Sequence, residues 1–200
     1  MKVSGEATLH APIARVWEAL NDPAVLVRTI PGCERLEATG PDSYRMVVTA
    51  GVASVRGTYA GEVKLHDQRP PNEFVMSATG AGGPGTVSTE VQVRLVEHDG
   101  ATLLTYDADA VVGGMIGGVG QRMLAGVAKK MAGEFFADVD DVLIGRVEAP
   151  APATTTEPGV FVAPARPSPF GGGFLPGALA GAAIALAGVL VGAILGRRRR

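Results

Sequence analysis

The sequence predicts an α+β fold in which a curved antiparallel sheet of about seven strands wraps around a long C-terminal helix. Two observations predict this architecture. Six strand-like runs fill residues 33–111, and their alternation of apolar and polar residues leaves one face apolar. An amphipathic stretch then covers residues 115–143, and it is the one stretch long enough to cover such a sheet.

The N-terminal segment predicts one strand followed by two short helices. Residues 2–10 alternate between apolar and polar side chains, which is the period of a half-buried strand. Pro12 suits the first turn of a helix, and the Asn-Asp-Pro sequence at 21–23 ends that helix. A second short helix is predicted over residues 24–29.

The six runs are separated by residues that favour turns. Gly, Pro, Asn and Asp cluster at residues 40–42, 69–72, 80–85 and 98–100. Alternate residues of the runs are predicted to face the long helix. They are rich in Val, Ala, Gly and Met and poor in large aromatic residues, so we expect an apolar cavity, with a tightly filled core as the open alternative.

The long helix is predicted to start at Met115, because every fourth residue from there to Leu143 is apolar. Its methionines make an adaptable wall, and its N-terminal half is predicted to line the cavity. The predicted cavity-lining residues are Met46, Val48, Tyr59, Val63, Phe74, Met76, Ala78, Val91, Leu104, Tyr106, Ala108, Met115, Val119, Met123 and Val127.

Composition restricts the class of protein. Residues 1–148 contain 13 Lys and Arg and 19 Asp and Glu, a net charge of −6. An acidic domain without a basic stripe makes nucleic acid an unfavourable partner. The single cysteine excludes an intramolecular disulfide, and the N-terminus lacks the apolar core of a secretory signal peptide, so we expect a cytoplasmic domain.

The chain changes character after the domain, which is predicted to span residues 1–148. Residues 149–173 are rich in Pro, Ala, Thr and Gly, typical of a flexible linker. Residues 174–196 carry no charge and are followed by four arginines, so residues 174–200 are predicted to form a membrane anchor. Spanning would carry the arginines across the bilayer, against the positive-inside tendency, so a re-entrant segment is the alternative.

Several motifs are weighed as sites. The Gly-rich segment 80–85 formally matches GxGxxG, but a strand follows it where a dinucleotide site needs a helix, so we interpret it as a glycine hairpin or a mobile rim of the cavity. The three histidines are too scattered for a metal site, and Cys33 is interpreted as a buried residue. Asp107 and Asp109 are predicted to face solvent. Tyr59 and Tyr106 face inward, where each phenol needs a hydrogen-bond partner from the protein, water or a ligand.

Four stretches carry a family resemblance. They are PIARVWEALNDPAVLVRTIPGCERLE (12–37), GTYAGEVKL (57–65), TYDADAVVGG (105–114) and GQRMLAGVAKKMAGEFF (120–136). The order of elements resembles the helix-grip fold of the START-like (SRPBCC) carriers, and the four stretches resemble the carbon monoxide dehydrogenase G-subunit family. The resemblance covers residues 1–145.

The resemblance implies a function as well as a fold. Members of the family are encoded with the molybdenum–copper carbon monoxide dehydrogenase and are tethered to the inner face of the cell membrane. The resemblance therefore implies a non-enzymatic carrier that holds a respiratory quinone, menaquinone or a relative, for that dehydrogenase. It brings no catalytic residues. A recruitment factor without a ligand is the alternative, and a START-like enzyme is disfavoured because no inward-facing acid, base or metal set is visible.

Overall fold

The computed structural model describes residues 1–146 and 159–163, which belong to one compact unit, Met1–Ala163. In chain order the elements are β1 (Lys2–Leu9), α1 (Ile13–Asn21), α2 (Pro23–Thr29), β2 (Cys33–Gly40), β3 (Ser43–Val52), β4 (Val55–Arg69), β5 (Glu73–Gly82), β6 (Gly85–His98), β7 (Ala101–Gly114), a 3-10 helix (Met115–Val119), α3 (Gln121–Leu143) and β8 (Val160–Val162). The predicted order of strand, two short helices, six strands and long helix is confirmed.

The described strands form one antiparallel sheet of eight strands in the order β1-β7-β6-β5-β4-β3-β2-β8. Strands β2 to β7 follow one another as hairpins, at the four predicted turns and at a fifth that the sequence analysis missed, Ala53-Ser54. Gly83 and Pro84 connect β5 to β6, and Gly82 pairs with Gly85. This confirms that the Gly-rich segment is a hairpin.

The helices cover the inner face of the sheet, and the core divides into two clusters. The larger cluster includes Leu36, Leu104 and Val139, all with side chains almost fully buried, and Trp17 packs edge-to-face on Phe74 with ring centroids 5.6 Å apart. The smaller cluster is centred on Val52, Ile116 and Leu124. The larger cluster lies towards the C-terminal half of α3 and the smaller one at its N-terminus.

The long helix begins at Gln121, so the predicted start at Met115 was wrong. Gly114 and Gly120 have φ of +80° and +100°, and residues between them form a 3-10 helix. These two positive φ values are incompatible with a continuous α-helix and are readily adopted by glycine. The apolar period continues through residues 115–120, but the backbone does not.

The predicted linker contains a strand that the sequence analysis missed. Strand β8 pairs with β2 antiparallel, and the half-buried Phe161 packs against the larger core cluster. The Ala38 amide donates to the Gly159 carbonyl oxygen (2.9 Å), and the Ala163 amide donates to the Glu34 carbonyl oxygen (3.1 Å). The rest of the linker and the predicted anchor, residues 174–200, lie outside the described residues.

Strand β8 sets the direction of the chain where the described unit ends. Helix α3 runs away from the smaller cluster, and β2 runs the same way, because its Cys33 pairs with Val48 and its Gly40 with Ser43. Since β8 is antiparallel to β2, the chain returns towards the smaller cluster and reaches Ala163 beside Glu34. The described unit therefore ends beyond β8, and not at the end of α3. Within residues 1–146 and 159–163, no helix has the length and apolar character needed to cross a membrane.

Candidate functional site

An apolar cavity of about 310 Å³ lies between the inner face of the sheet and the first turns of α3. Its volume is at the lower end of the range for small-molecule sites. It is lined by Met1, Met46, Val48, Ala50, Gly51, Val52, Tyr59, Gly61, Val63, Ala78, Thr79, Gly80, Val87, Thr89, Val112, Ile116, Leu124, Val127, Ala128 and Met131. Within the described residues, the lining contains no Asp, Glu, His, Cys, Lys or Arg side chain.

The cavity exists because small residues face one another where β4 and β5 pass under α3. Gly61 pairs with Gly80 in the sheet, Ala78 is on the same face of β5 as Gly80, and Ala128 lines the cavity from the helix. These positions contribute a methyl group or a hydrogen where core strands carry Leu or Phe. A Cβ added at Gly61 would come within 2.3 Å of the Thr79 carbonyl oxygen, so a larger residue there would disturb the sheet.

Among the described residues, Tyr59 contributes the one buried side-chain polar atom of this cavity that lacks a partner. Its hydroxyl is buried and makes no hydrogen bond, whereas the Thr89 hydroxyl donates to the Asp109 carbonyl oxygen at 2.9 Å. Burial also raises the pKa of Tyr59 above its ordinary value, so the phenol keeps its proton and remains a donor at neutral pH. An unpaired buried hydroxyl costs about 1–3 kcal/mol, which a ligand oxygen at this position would recover.

The structure brings six of the fifteen predicted lining residues to the cavity. They are Met46, Val48, Tyr59, Val63, Ala78 and Val127. All but Val127 come from β3, β4 and β5, where the inward-facing positions follow directly from the alternation of the strands. Contact of these residues with a ligand stays a prediction.

The other nine predicted residues lie elsewhere. Six of them lie on the strands outside the cavity. Phe74 and Leu104 belong to the larger core, Met76, Val91 and Tyr106 pack against it, and Ala108 belongs to neither the core nor the cavity. These six face inward as predicted, but α1, α2 and the C-terminal half of α3 fill the space at that end.

Three errors come from the misplaced start of the helix: Met115, Val119 and Met123. Met115 is 66% exposed and Met123 is 51% exposed, while Val119 packs against the smaller cluster without lining the cavity. Ile116 and Leu124 line the cavity instead, because the break at Gly120 rotates the apolar residues of this segment. That break is signalled in the sequence by its glycines, which the periodicity argument ignored.

The other weighed residues behave mostly as interpreted. Cys33 is buried, 7% exposed, and burial raises the pKa of its thiol to about 11, so it is a poor nucleophile. Asp107 and Asp109 are exposed. The Tyr106 ring packs on Phe136, with centroids 5.7 Å apart, outside the cavity. No group of three or more potential metal ligands occurs within the described residues.

A second, larger depression of about 520 Å³ lies on the outer face of β4, β5 and β6. Small and polar residues such as Ala60, Thr79 and Ser88 line it, beside the exposed ion pair between Arg45 and Glu62 (3.5 Å). It contains no buried unpaired polar group among the described residues. The inner cavity is therefore the stronger candidate for a small-molecule site.

Comparison with known proteins adds a family and a fold. The sequence profile of the carbon monoxide dehydrogenase G-subunit family (CoxG) matches residues 5–144. A conserved protein from Geobacillus kaustophilus is 36% identical, with a TM-score of 0.70 over 72% of this chain and 96% of that one. No curated protein matches the sequence.

Two more distant solved structures share the fold. A START superfamily protein from Mycobacterium smegmatis has a TM-score of 0.57 at 14% identity, over 73% of this chain and 99% of that one. The Zhui aromatase/cyclase from Streptomyces sp. R1128 has a TM-score of 0.56 at 21% identity, over 74% of this chain and 96% of that one. The curved sheet and C-terminal helix described above are thus START-like.

Proposed function

The chain belongs to the carbon monoxide dehydrogenase G-subunit family (CoxG), and from this membership we propose that it is a carrier that holds a respiratory quinone, in particular menaquinone, for carbon monoxide dehydrogenase. The observation that carries the proposal is the apolar cavity with a single unpartnered phenol. The family name supplies the dehydrogenase as partner. When bound, the quinone would supply an electron acceptor to that enzyme.

The lining of the cavity fits a quinone headgroup. Methionine and branched aliphatic side chains, including Met46, Val48 and Val63, offer dispersion contacts to a flat aromatic ring. The Tyr59 hydroxyl, which is buried without a partner, would donate a hydrogen bond to a quinone carbonyl oxygen. The lining supports a carrier rather than a catalyst, because its described side chains include no acid, base or metal-ligand set.

The size of the cavity limits how much of the ligand it encloses. A volume of about 310 Å³ suits a bicyclic headgroup and the start of its prenyl chain, while the remainder of the chain would extend out of the cavity. We propose that the long prenyl tail leaves the cavity at the end beside the 3-10 helix, where displacement of the Val52 and Ile116 side chains would open a path for it.

Membrane attachment is the second part of the proposal. The uncharged run 174–196 and the terminal arginines of the sequence support an anchor, which would keep the domain at the inner face of the cell membrane, where quinones dissolve. Strand β8 binds residues 160–162 to the sheet, so residues 164–173 would connect the domain to the anchor.

A pair of matched variants tests the proposal. Ala78→Trp places an indole in the cavity, while Ala81→Trp places the same ring on the exposed outer face of the same strand. We expect the full-length wild-type protein and Ala81→Trp to retain a short-chain menaquinone through gel filtration in detergent, and Ala78→Trp to lose it.

Circular dichroism and thermal unfolding of both variants check that the fold is kept. Equal retention of menaquinone by Ala78→Trp would show that the cavity is not the site. Failure of all three proteins to retain any quinone, while the wild type still binds carbon monoxide dehydrogenase, would favour a recruitment factor without a ligand.

A further inference from the structure

The end of the domain that surrounds the cavity differs in charge from the rest. We define the cavity rim as residues 50–58, 82–88 and 111–131. These segments meet in space: Val52 and Val55 pack with Ile116 and Leu124, and the Ile116 amide donates to the Pro84 carbonyl oxygen at 3.1 Å. The rim contains four basic residues and no Asp or Glu, in a domain whose residues 1–148 carry a net charge of −6.

Three of the four rim cations have no ion pair with a described acid. Arg56, Arg122 and Lys129 are exposed, and only Lys130 pairs, with Glu134 at 3.6 Å. Asp109, an acid beside the rim, pairs with the N-terminal amine at 3.7 Å. The field of the rim is therefore positive towards solvent.

The opposite end of the sheet is acidic. Five acids lie at the three hairpins there, Asp42, Asp67, Glu73, Glu97 and Asp99, against two arginines, Arg69 and Arg94, which both pair with Glu73 (2.7 Å and 3.9 Å). A negatively charged surface would therefore attract the rim and repel the opposite end, so that the mouth of the cavity turns towards that surface.

The rim also exposes large apolar side chains. Met115 is 66% exposed and Met123 is 51% exposed, and Val111, on the outer face of β7, is 73% exposed. Flexible methionines next to unpaired cations are suited to an interface whose surface is anionic and whose interior is apolar. A soluble acidic protein surface would satisfy the cations but would leave the methionines without an apolar partner.

We propose that the cavity rim binds the surface of an anionic lipid bilayer, with Met115 and Met123 inserted between the acyl chains and Arg56, Arg122 and Lys129 at the headgroups. Strand β8 supports this arrangement, because it directs the chain back towards the rim before the apolar run 174–196 begins. The inference rests on the proposed function for its purpose, since a quinone would then enter the cavity from the bilayer without crossing water.

Single-cysteine labelling of the full-length chain tests the proposal. Cys33 is buried and its thiol has a raised pKa, so an introduced surface cysteine takes the label selectively. Met123→Cys and Met115→Cys report on the rim, and His98→Cys, at an exposed position of the acidic end, is the matched control. Each carries an environment-sensitive fluorophore and is mixed with vesicles of phosphatidylcholine with phosphatidylglycerol, without quinone.

We expect a blue shift and protection from an aqueous quencher at positions 123 and 115, and no change at 98. Reversing Arg122 and Lys129 to Glu should weaken the shift, and neutral phosphatidylcholine vesicles should give a smaller one. Labels at 123 and 115 that stay in water on vesicle-bound protein, or a label at 98 that enters the lipid, would overturn the proposal. So would protection of the rim by carbon monoxide dehydrogenase alone and not by lipid.

The result is independent of quinone binding. Insertion of the rim into vesicles by a protein that retains no menaquinone would contradict the proposed function and leave the rim inference standing. Retention of menaquinone by a protein whose rim stays in water would contradict the rim inference and leave the proposed function standing.

Discussion

At the scale of single residues, Tyr59 links the apolar cavity to a specific chemistry. A buried hydroxyl without a partner destabilises the folded protein. The Tyr59 hydroxyl lies on the inner face of β4, where Tyr59 lines the cavity, so a ligand in the cavity could pair with it. The alternation of β4 and of β7 was sufficient to predict that Tyr59 and Tyr106 face inward. The alternation could not show which of the two tyrosines lines the cavity. That difference follows from the packing of Tyr106 against Phe136, which places Tyr106 beside the larger core.

Replacing Tyr59 by Phe should have opposite effects on stability and on binding. Without ligand, Tyr59→Phe should raise the free energy of unfolding by up to about 1 kcal/mol, because an unpaired buried hydroxyl is removed. Affinity for menaquinone should fall roughly 2- to 12-fold, the equivalent of one hydrogen bond of about 0.5–1.5 kcal/mol. Chemical denaturation and a fluorescence titration measure the two quantities.

Tyr106→Phe is the control, since Tyr106 lies outside the cavity and should leave the affinity unchanged. An unaltered affinity in Tyr59→Phe would mean that its hydroxyl does not contact the ligand.

Cys33 gives a prediction about pH. Burial raises the pKa of its thiol from 9.0 to about 11, so the folded state holds the proton more tightly than the unfolded state. This contribution to stability is complete below about pH 9 and is lost as the pH rises towards about 11. The fall in unfolding free energy over this interval should be smaller in Cys33→Ala than in the wild type. The tyrosines also ionise in this interval, but they do so in both proteins, so the difference between the two proteins reports Cys33.

Alkylation gives an independent measure of the same thiol. Cys33 in the folded protein should react with iodoacetamide far more slowly at pH 8 than in denaturant. Equal rates in the two states would contradict the assigned burial.

At the scale of elements, β8 shows how the domain continues beyond its long helix. Three residues of a Pro- and Ala-rich segment complete the sheet at the edge of β2 and bury part of Phe161. An otherwise open strand edge is covered in this way. Because β8 pairs with β2, the chain leaves the described unit at Ala163, beside Glu34.

Two neighbouring substitutions test the contribution of β8. Phe161→Ala should lower the free energy of unfolding by about 1–3 kcal/mol, less than the full cost of a buried aromatic residue because the side chain is half-buried. Val162→Ala, at a side chain 55% exposed, should change it by less than about 0.5 kcal/mol. Hydrogen exchange at the Ala38 amide, which donates to Gly159, should accelerate only in Phe161→Ala.

A protected Ala38 amide in Phe161→Ala would mean that the backbone pairing holds β8 without its aromatic side chain.

Elements that depend on local chemistry were predictable, and those that depend on distant contacts were not. Strands β2 to β7 have alternating side chains and turn residues, so their order and inner faces followed from the sequence. Strand β8 has only three residues of high β propensity, too few to predict a strand, and it forms against the free edge of β2. The start of α3 was misplaced because apolar spacing persists through Gly114 and Gly120, whose positive φ values break the helix.

The presence and apolar character of the cavity were predictable, but its position along the sheet was not. Small inward residues such as Ala78 and Gly80 indicated unfilled space between the sheet and the helix. Which end of the sheet remains unfilled depends on where α1 and α2 pack, and the sequence alone does not specify that contact. Phe74 and Leu104 were therefore assigned to the cavity although they belong to the larger core.

At the scale of the whole molecule, the fold separates stability from binding. The larger cluster at one end holds the sheet, α1, α2 and the C-terminal half of α3 together. The other end keeps an unfilled apolar space beneath a basic rim with exposed methionines. A carrier needs this division, because a ligand must enter and leave without unfolding the core.

Mass spectrometry of an organic extract of the full-length protein tests most directly whether the cavity holds a respiratory quinone. The protein is purified in mild detergent after expression in a menaquinone-containing host, beside Ala78→Trp and Ala81→Trp. We expect menaquinone to be recovered in near-equal amounts from the wild type and Ala81→Trp and to be depleted from Ala78→Trp. Recovery of no prenylated quinone from the wild type, or of equal amounts from all three proteins, would contradict the proposed function.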